Sequence, residues 1–205
     1  FKTAASRAQS ICFMPDGITL VVGQSRAPPW VLDSRDGRRL TQGIGFGSSP
    51  LCASFSPDHS LVAIGTFGDG IVLLDAATGR QLRVLNKVPV LPMQIVWLPH
   101  GRHLATFGAS AGGFEILDIE SGERVLAMQV IEGDERICAM AGSPDGRFLY
   151  VSTNSGRIVR CSADGKERKR VFAANRGEVR GMVLPFIRVS PDGRVLTVAD
   201  NLGSV

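Results

Sequence analysis

Aromatic residues are scarce in this 205-residue sequence: 10 Phe, 2 Trp and 1 Tyr make up 6% of it, so Leu, Val, Ile and Ala must fill most of any core. Long apolar runs are missing too. The longest are of strand length and are broken by Gly, Pro or charge, so none reads as a membrane-spanning helix and no membrane insertion is expected. Only four cysteines are present, Cys12, Cys52, Cys138 and Cys161, with no C-x-x-C spacing and no local clustering. They read as free thiols among the small core residues of an intracellular, cytoplasmic protein rather than as zinc ligands. There is no N-x-S/T glycosylation site. Disorder is disfavoured as well, because 44% of the residues are hydrophobic and the mean hydropathy is +0.12.

What the chain has in quantity is turns. Five Pro-centred turns recur, at Pro15, Pro57, Pro99, Pro144 and Pro191, and read FMPDG, FSPDH, WLPHG, GSPDG and VSPDG. Their intervals are 42, 42, 45 and 47 residues, a period that marks an array of similar units. Proline sets φ at the first corner, Asp bonds its own backbone and Gly accepts the left-handed position. A second register mark follows each turn: ten residues separate Gly23 from Asp33, Gly65 from Asp75, Gly108 from Asp118, and Ser152 from Ser162. A further turn then closes at Asp33–Gly37, Asp75–Gly79, Asp118–Gly122 and Ser162–Gly165. Each unit therefore has four strand slots. In the second full unit they are Leu51–Phe55, Leu61–Ile64, Ile71–Leu74 and Gln81–Leu85. The second slot is continuously apolar, as in LVAI and LATF, which suits a strand covered on both faces, whereas the outer slots carry RQLRVL and KERKRVF. A four-stranded sheet cannot hide both faces alone, and stacking such sheets around an axis hides them.

The segments FSPDHSLVAIGTFGDGIVLLDAATG (55–79) and LPHGRHLATFGASAGGFEILDIESG (98–122) resemble WD40 repeats, and the likeness extends over essentially the whole chain. The resemblance implies an all-β fold, a β-propeller of four-stranded antiparallel blades. The units fall at 1–9 (the end of a preceding blade), 10–49, 50–91, 92–135, 136–180 and 181–205 (a partial blade). The chain is expected to begin and end inside units, as an incomplete arc of a six- or seven-bladed ring completed by further sequence or by another chain. The Trp-Asp pair of the family is replaced by Leu32-Asp33, Leu74-Asp75, Leu117-Asp118 and Cys161-Ser162, and the Gly-His pair is absent. The buried network that the family builds from His, Asp, Ser or Thr and Trp is therefore not expected, although Thr66 keeps its slot.

Chemistry-bearing patterns are weak. Gly108–Gly112 matches G-x-S-x-G, yet a strand follows at Phe114 where a nucleophile elbow needs a helix. Gly43, Gly45 and Gly47 lack phosphate-loop spacing and precede a strand. His59, His100 and His103 sit in turns without a ligand cluster, and Asp75 and Asp118 recur as turn caps. No catalytic residue, metal or cofactor is expected.

Recognition remains. Lys and Arg number 23 against 19 Asp and Glu, and the surplus gathers around the fourth unit at Arg157, Arg160, Lys166, Arg168, Lys169 and Arg170, with Arg176 and Arg180 beyond. Such a run solvates a sheet edge and blocks stray strand pairing. It could also meet an acidic protein, whereas nucleic acid is disfavoured because no aromatics are interleaved with it. The candidate partner-contacting residues are Trp30 beside Pro28 and Pro29, Phe114 after Gly112 and Gly113, and Arg157, Lys166, Arg168, Lys169, Arg170 and Arg176. Val88–Pro92 and Asn175–Arg180 are further departures from the average unit. The expected function is a non-catalytic protein–protein interaction scaffold within a larger protein or multiprotein complex. The alternatives are an accessory propeller of a multidomain enzyme and, less favoured, a nucleic-acid-binding surface.

Overall fold

The computed structural model describes residues 8–13, 17–24, 27–39, 50–86, 88, 91–109, 112–173 and 186–199. Among these residues the chain is all-β. The first sheet joins β1 (Ala8–Phe13), β2 (Thr19–Gln24) and β3 (Ala27–Asp33). The second joins β4 (Pro50–Phe55), β5 (Leu61–Thr66), β6 (Ile71–Asp75) and β7 (Gln81–Leu85). The third joins β8 (Pro92–Trp97), β9 (His103–Gly108), β10 (Gly113–Asp118) and β11 (Arg124–Gln129). The fourth joins β12 (Ile137–Gly142), β13 (Phe148–Thr153), β14 (Arg157–Ser162) and β15 (Arg168–Ala173). Last come β16 (Phe186–Val189) and β17 (Leu196–Ala199). Every pairing is antiparallel and between sequence neighbours. In the first sheet a bridge from Leu32 to Arg39 stands where a fourth strand would begin. β1 starts at Ala8, two residues before the unit boundary expected at 10.

The repeat extends to the irregularities. The first strand of each of the first four sheets slips register near its start, between Ala8 and Ser10, Pro50 and Cys52, Pro92 and Gln94, and Ile137 and Ala139. The third strand slips where it pairs the fourth, at Leu73/Leu74, Ile116/Leu117 and Ile158/Val159. A bulge adds local twist, so each sheet is twisted at matching places and can follow its neighbour's surface.

Side-chain alternation sorts each middle strand between two neighbours. In β9, Leu104 packs with Ala63 and Leu73 of the second sheet, while Ala105 and Phe107 pack with Met140 and Val151 of the fourth. In β5, Ala63 faces the third sheet, whereas Val62 and Ile64 join Val72 and Leu74 on the opposite face. In β13, Leu149 and Val151 face the third sheet and Tyr150 packs toward Ile187 of β16. Period-2 geometry combined with cover on both faces accounts for the continuous apolar runs LVAI and LATF.

Between sheets the backbones approach mainly through the first strands: β4 meets β1 and β8, and β12 meets β8 and β16. The fourth strands β7, β11 and β15 take no substantial part in these approaches. The sheets thus converge at one side and splay at the other, in chain order. Among the described residues the fan is open, with no substantial approach between the first sheet and the last.

The Pro-Asp-Gly turns stack from sheet to sheet. A Cβ added to Gly101 would lie 3.8 Å from Pro57 Cδ, one on Gly146 would lie 2.8 Å from Pro99 Cδ, and one on Gly193 would lie 3.6 Å from Pro144 Cδ. Each glycine therefore serves both its own turn and the proline of the preceding unit. Gly146 has φ 70°, so alanine there meets both a left-handed backbone and the Pro99 ring. Gly146→Ala is expected to cost about 1–2 kcal/mol, read as a lowered urea midpoint with an unchanged slope. His59 occupies the corresponding position of the second unit and holds φ 61° without being glycine.

Candidate functional site

The polar groups of the turns are committed to structure. Ser56, Ser143, Ser162 and Ser190 each donate a hydroxyl to the Asp two residues on, at 2.6, 2.6, 2.7 and 2.5 Å. Each of these hydroxyls also accepts the backbone N–H five residues on, at 2.8–2.9 Å. Ser-x-Asp is therefore a closed turn clasp; of its serines only Ser162 was singled out from sequence, as a register mark. Asp75 accepts from the N–H and hydroxyl of Thr78, and Asp118 accepts from the N–H groups of Glu120 and Ser121 and from Arg102. These two carboxylates cap turns, as the sequence pattern implies.

The same bonds favour the charged carboxylates. The Ser56 hydroxyl, with Ser60, holds Asp58 down at about 2, and the Ser162 hydroxyl does the same for Asp164. The Arg35 guanidinium lowers Asp33 to about 2. The Ser121 N–H and then Arg102 hold Asp118 well below the usual carboxylate range. In the unfolded chain these groups titrate near pH ~4. The stability they contribute is therefore fully present above that value and is lost as pH falls toward 2. The thermal midpoint should be flat with respect to these groups above about pH 5 and fall steeply below about pH 4. A midpoint unchanged between pH 5 and pH 2.5 would contradict the clasp bonds.

The buried hydroxyls are satisfied locally. Thr66 Oγ1 donates to the Gly70 carbonyl at 2.9 Å and Thr106 Oγ1 to the Gln94 carbonyl at 2.8 Å. Cys52, Cys138 and Cys161 are unpaired thiols; burial pushes Cys52 up to about 12 and Cys161 up to about 11. The side chain of Cys12 lies outside the described residues.

The basic run splits between two faces of the fourth sheet. In β15, Arg168 pairs with Cys161 and Arg170 with Val159, and both partners point toward the third sheet; Lys169 pairs with Arg160 on the other face. Arg168 and Arg170 meet Arg157 in a cleft of about 310 Å³ between the third and fourth sheets, over the buried core residues Val130, Ile131 and Val159 and with Glu132 at its side. Arg157 pairs with Glu135 through both Nε and Nη2. Arg168 Nη1 donates to the carbonyls of Gln129 at 2.9 Å and Val130 at 3.1 Å. Outside the cleft, Lys166 pairs with Asp164 at 3.1 Å, and Arg160 pairs with Glu167 at 2.7 Å and stacks 4.4 Å from the Phe148 centroid.

Three guanidiniums can grip carboxylates or phosphates. Among the described residues the lining consists of these three arginines, Glu132 and three buried aliphatic residues. No group of three or more His, Cys, Asp or Glu among the described residues is placed to hold a metal ion. No helix among them is long and apolar enough to cross a membrane.

Phe114 must be corrected as a candidate contact residue. It is 1% exposed and packs between the third and fourth sheets, because it is an inward residue of β10 rather than part of a loop. Trp30 lies within β3, opposite Val22, half-buried, with the Arg39 guanidinium 5.9 Å from its ring. His103 belongs to β9 rather than to the turn before it, with Nε2 3.5 Å from Asp118. The G-x-S-x-G stretch joins the antiparallel neighbours β9 and β10. Ser110, Gly43, Gly45 and Gly47 lie outside the described residues, as do all of Asn175–Arg180, with Arg176 and Arg180, and part of Val88–Pro92. Sequence reasoning missed the acidic side of the cleft, Glu132 and Glu135, the buried Val130 and Ile131 beneath it, and the exposed Phe67 and Phe186.

No protein-family model matches the chain, and no curated protein matches it in sequence.

Proposed function

We propose that the chain is part of a WD40-like β-propeller and acts as a non-catalytic protein-interaction scaffold in a larger protein or complex. The observation that carries this reading is the inter-sheet cleft, in which Arg157, Arg168 and Arg170 are mounted on packed strands. Rigid sheets hold the side chains in place before a partner arrives, which lowers the ordering cost of association. The repeated sheets supply rigidity and the connections between them supply variation, a division of labour suited to docking rather than to one reaction.

The test is affinity capture with the full chain, comparing the native protein with Arg168→Gln/Arg170→Gln, followed by reconstitution with each purified candidate partner. The scaffold reading expects at least one protein to bind the native chain directly and saturably. Absence of any direct protein partner, together with turnover of a small molecule by the purified chain, would overturn it.

A further inference from the structure

The inter-sheet cleft carries an inference about partner chemistry that rests on the scaffold reading. We propose that it takes an extended acidic segment of a partner protein, with carboxylates at alternate positions on Arg168 and Arg170.

Spacing is the first argument. Arg168 and Arg170 are two apart in β15 and share a face, which sets their attachment points roughly 6.5–7 Å apart. An extended peptide repeats its own side chains at the same interval, so an acid-x-acid sequence matches the two guanidiniums in register. The residue between the acids then points away from the arginines. Val130 and Ile131, directly after β11, are each 4% exposed and belong to the core beneath the cleft, so the arginines carry the contact.

Charge is the second. Arg157 is already compensated by Glu135. Among the described residues the Arg168 side chain is bonded through Nη1 to two neutral carbonyls and to no acid, so its charge is fixed in place without a carboxylate. The Arg170 side chain has no hydrogen-bond or ion-pair partner among the described residues and lines the same cleft. A carboxylate supplied by a partner fills both vacancies and forms charge-assisted bonds that a backbone carbonyl cannot match. Nucleic acid fits less well: Glu132 and Glu135 stand among the arginines, and no aromatic among the described residues lines the cleft for base stacking.

Fluorescence anisotropy of the full chain tests this with a labelled Glu-Val-Glu-Val-Glu peptide, its Gln-Val-Gln-Val-Gln counterpart, and labelled oligouridylate. The glutamate peptide should bind at least about tenfold tighter than the glutamine peptide. Arg168→Glu/Arg170→Glu should weaken it by about tenfold or more, whereas Lys166→Glu/Lys169→Glu, the same change in net charge outside the cleft, should change it less than about threefold. Arg170→Gln keeps the result interpretable if the double reversal disturbs folding, because the Arg170 side chain makes no bond among the described residues that its loss would break; it too should weaken binding severalfold. Equal losses in both double variants, or no preference for the glutamate peptide, would overturn the proposal, and tighter binding of oligouridylate would replace it with a nucleic-acid surface. If direct protein partners survive Arg168→Glu/Arg170→Glu undiminished, this inference fails while the scaffold reading stands.

Discussion

Phe114→Ala is expected to lower the stability of the folded chain by about 3–5 kcal/mol, the range for deleting a large, fully enclosed aromatic side chain. Phe114 is 1% exposed and packs with Phe107 and Ile116 of its own sheet and Met140, Leu149 and Val151 of the next. The cavity would therefore open between two sheets, where repacking needs both to move. Phe114→Leu keeps most of the volume and should cost much less, about 1–2 kcal/mol. Urea denaturation of both variants checks this. A loss below about 1 kcal/mol for the alanine variant would mean that the third and fourth sheets do not close over this ring.

Gln94→Leu is expected to cost about 2–4 kcal/mol although it adds apolar surface. The Gln94 side-chain amide spans from β8 to β12: its Nε2 donates to the Met140 carbonyl at 2.8 Å and its Oε1 accepts the Met140 N–H at 2.8 Å. This one side chain performs between two first strands the donor-and-acceptor exchange that backbones perform within a sheet. Met140 is fully enclosed, so leucine would leave both of its backbone groups without a partner and away from water. Gln81→Leu, at an exposed position of β7, makes the same chemical change and should stay within about 0.5 kcal/mol. Equal effects at the two positions would count against a bridge between β8 and β12.

Much of the fold was legible because its determinants are local. Pro-Asp-Gly spacing fixes where the chain reverses, and the ten-residue interval from Gly65 to Asp75 fixes the hairpin between β5 and β6; the four slots read in the second unit match β4 to β7 within two residues. The relations between sheets were not legible, since residues such as Gln94 and Met140, or Trp97 Nε1 and the Ser54 carbonyl at 3.1 Å, stand more than forty positions apart. Phe114 shows the same gap: two preceding glycines suggest a loop, but alternation with Ile116 turns the ring inward. Of the basic run, the period of two would have separated Arg168 and Arg170 from Lys169 once β15 was recognised as a regular strand. That Glu135 compensates Arg157, and that Val130 and Ile131 lie beneath the arginines, depends on how two sheets pack. No local pattern reports that.

The central claim is that successive sheets lie face to face in chain order, so that neighbouring residues of one middle strand are enclosed by different sheets. Methyl-to-methyl NOE spectroscopy on Leu104 and Ala105 tests it most directly. The fold described here predicts cross-peaks from Leu104 to Ala63 or Leu73 of the second sheet and from Ala105 to Met140 or Val151 of the fourth. If one of the two methyl-bearing residues is solvent-facing, or both report the same partner sheet, the sheets form a two-layer sandwich and the account is wrong.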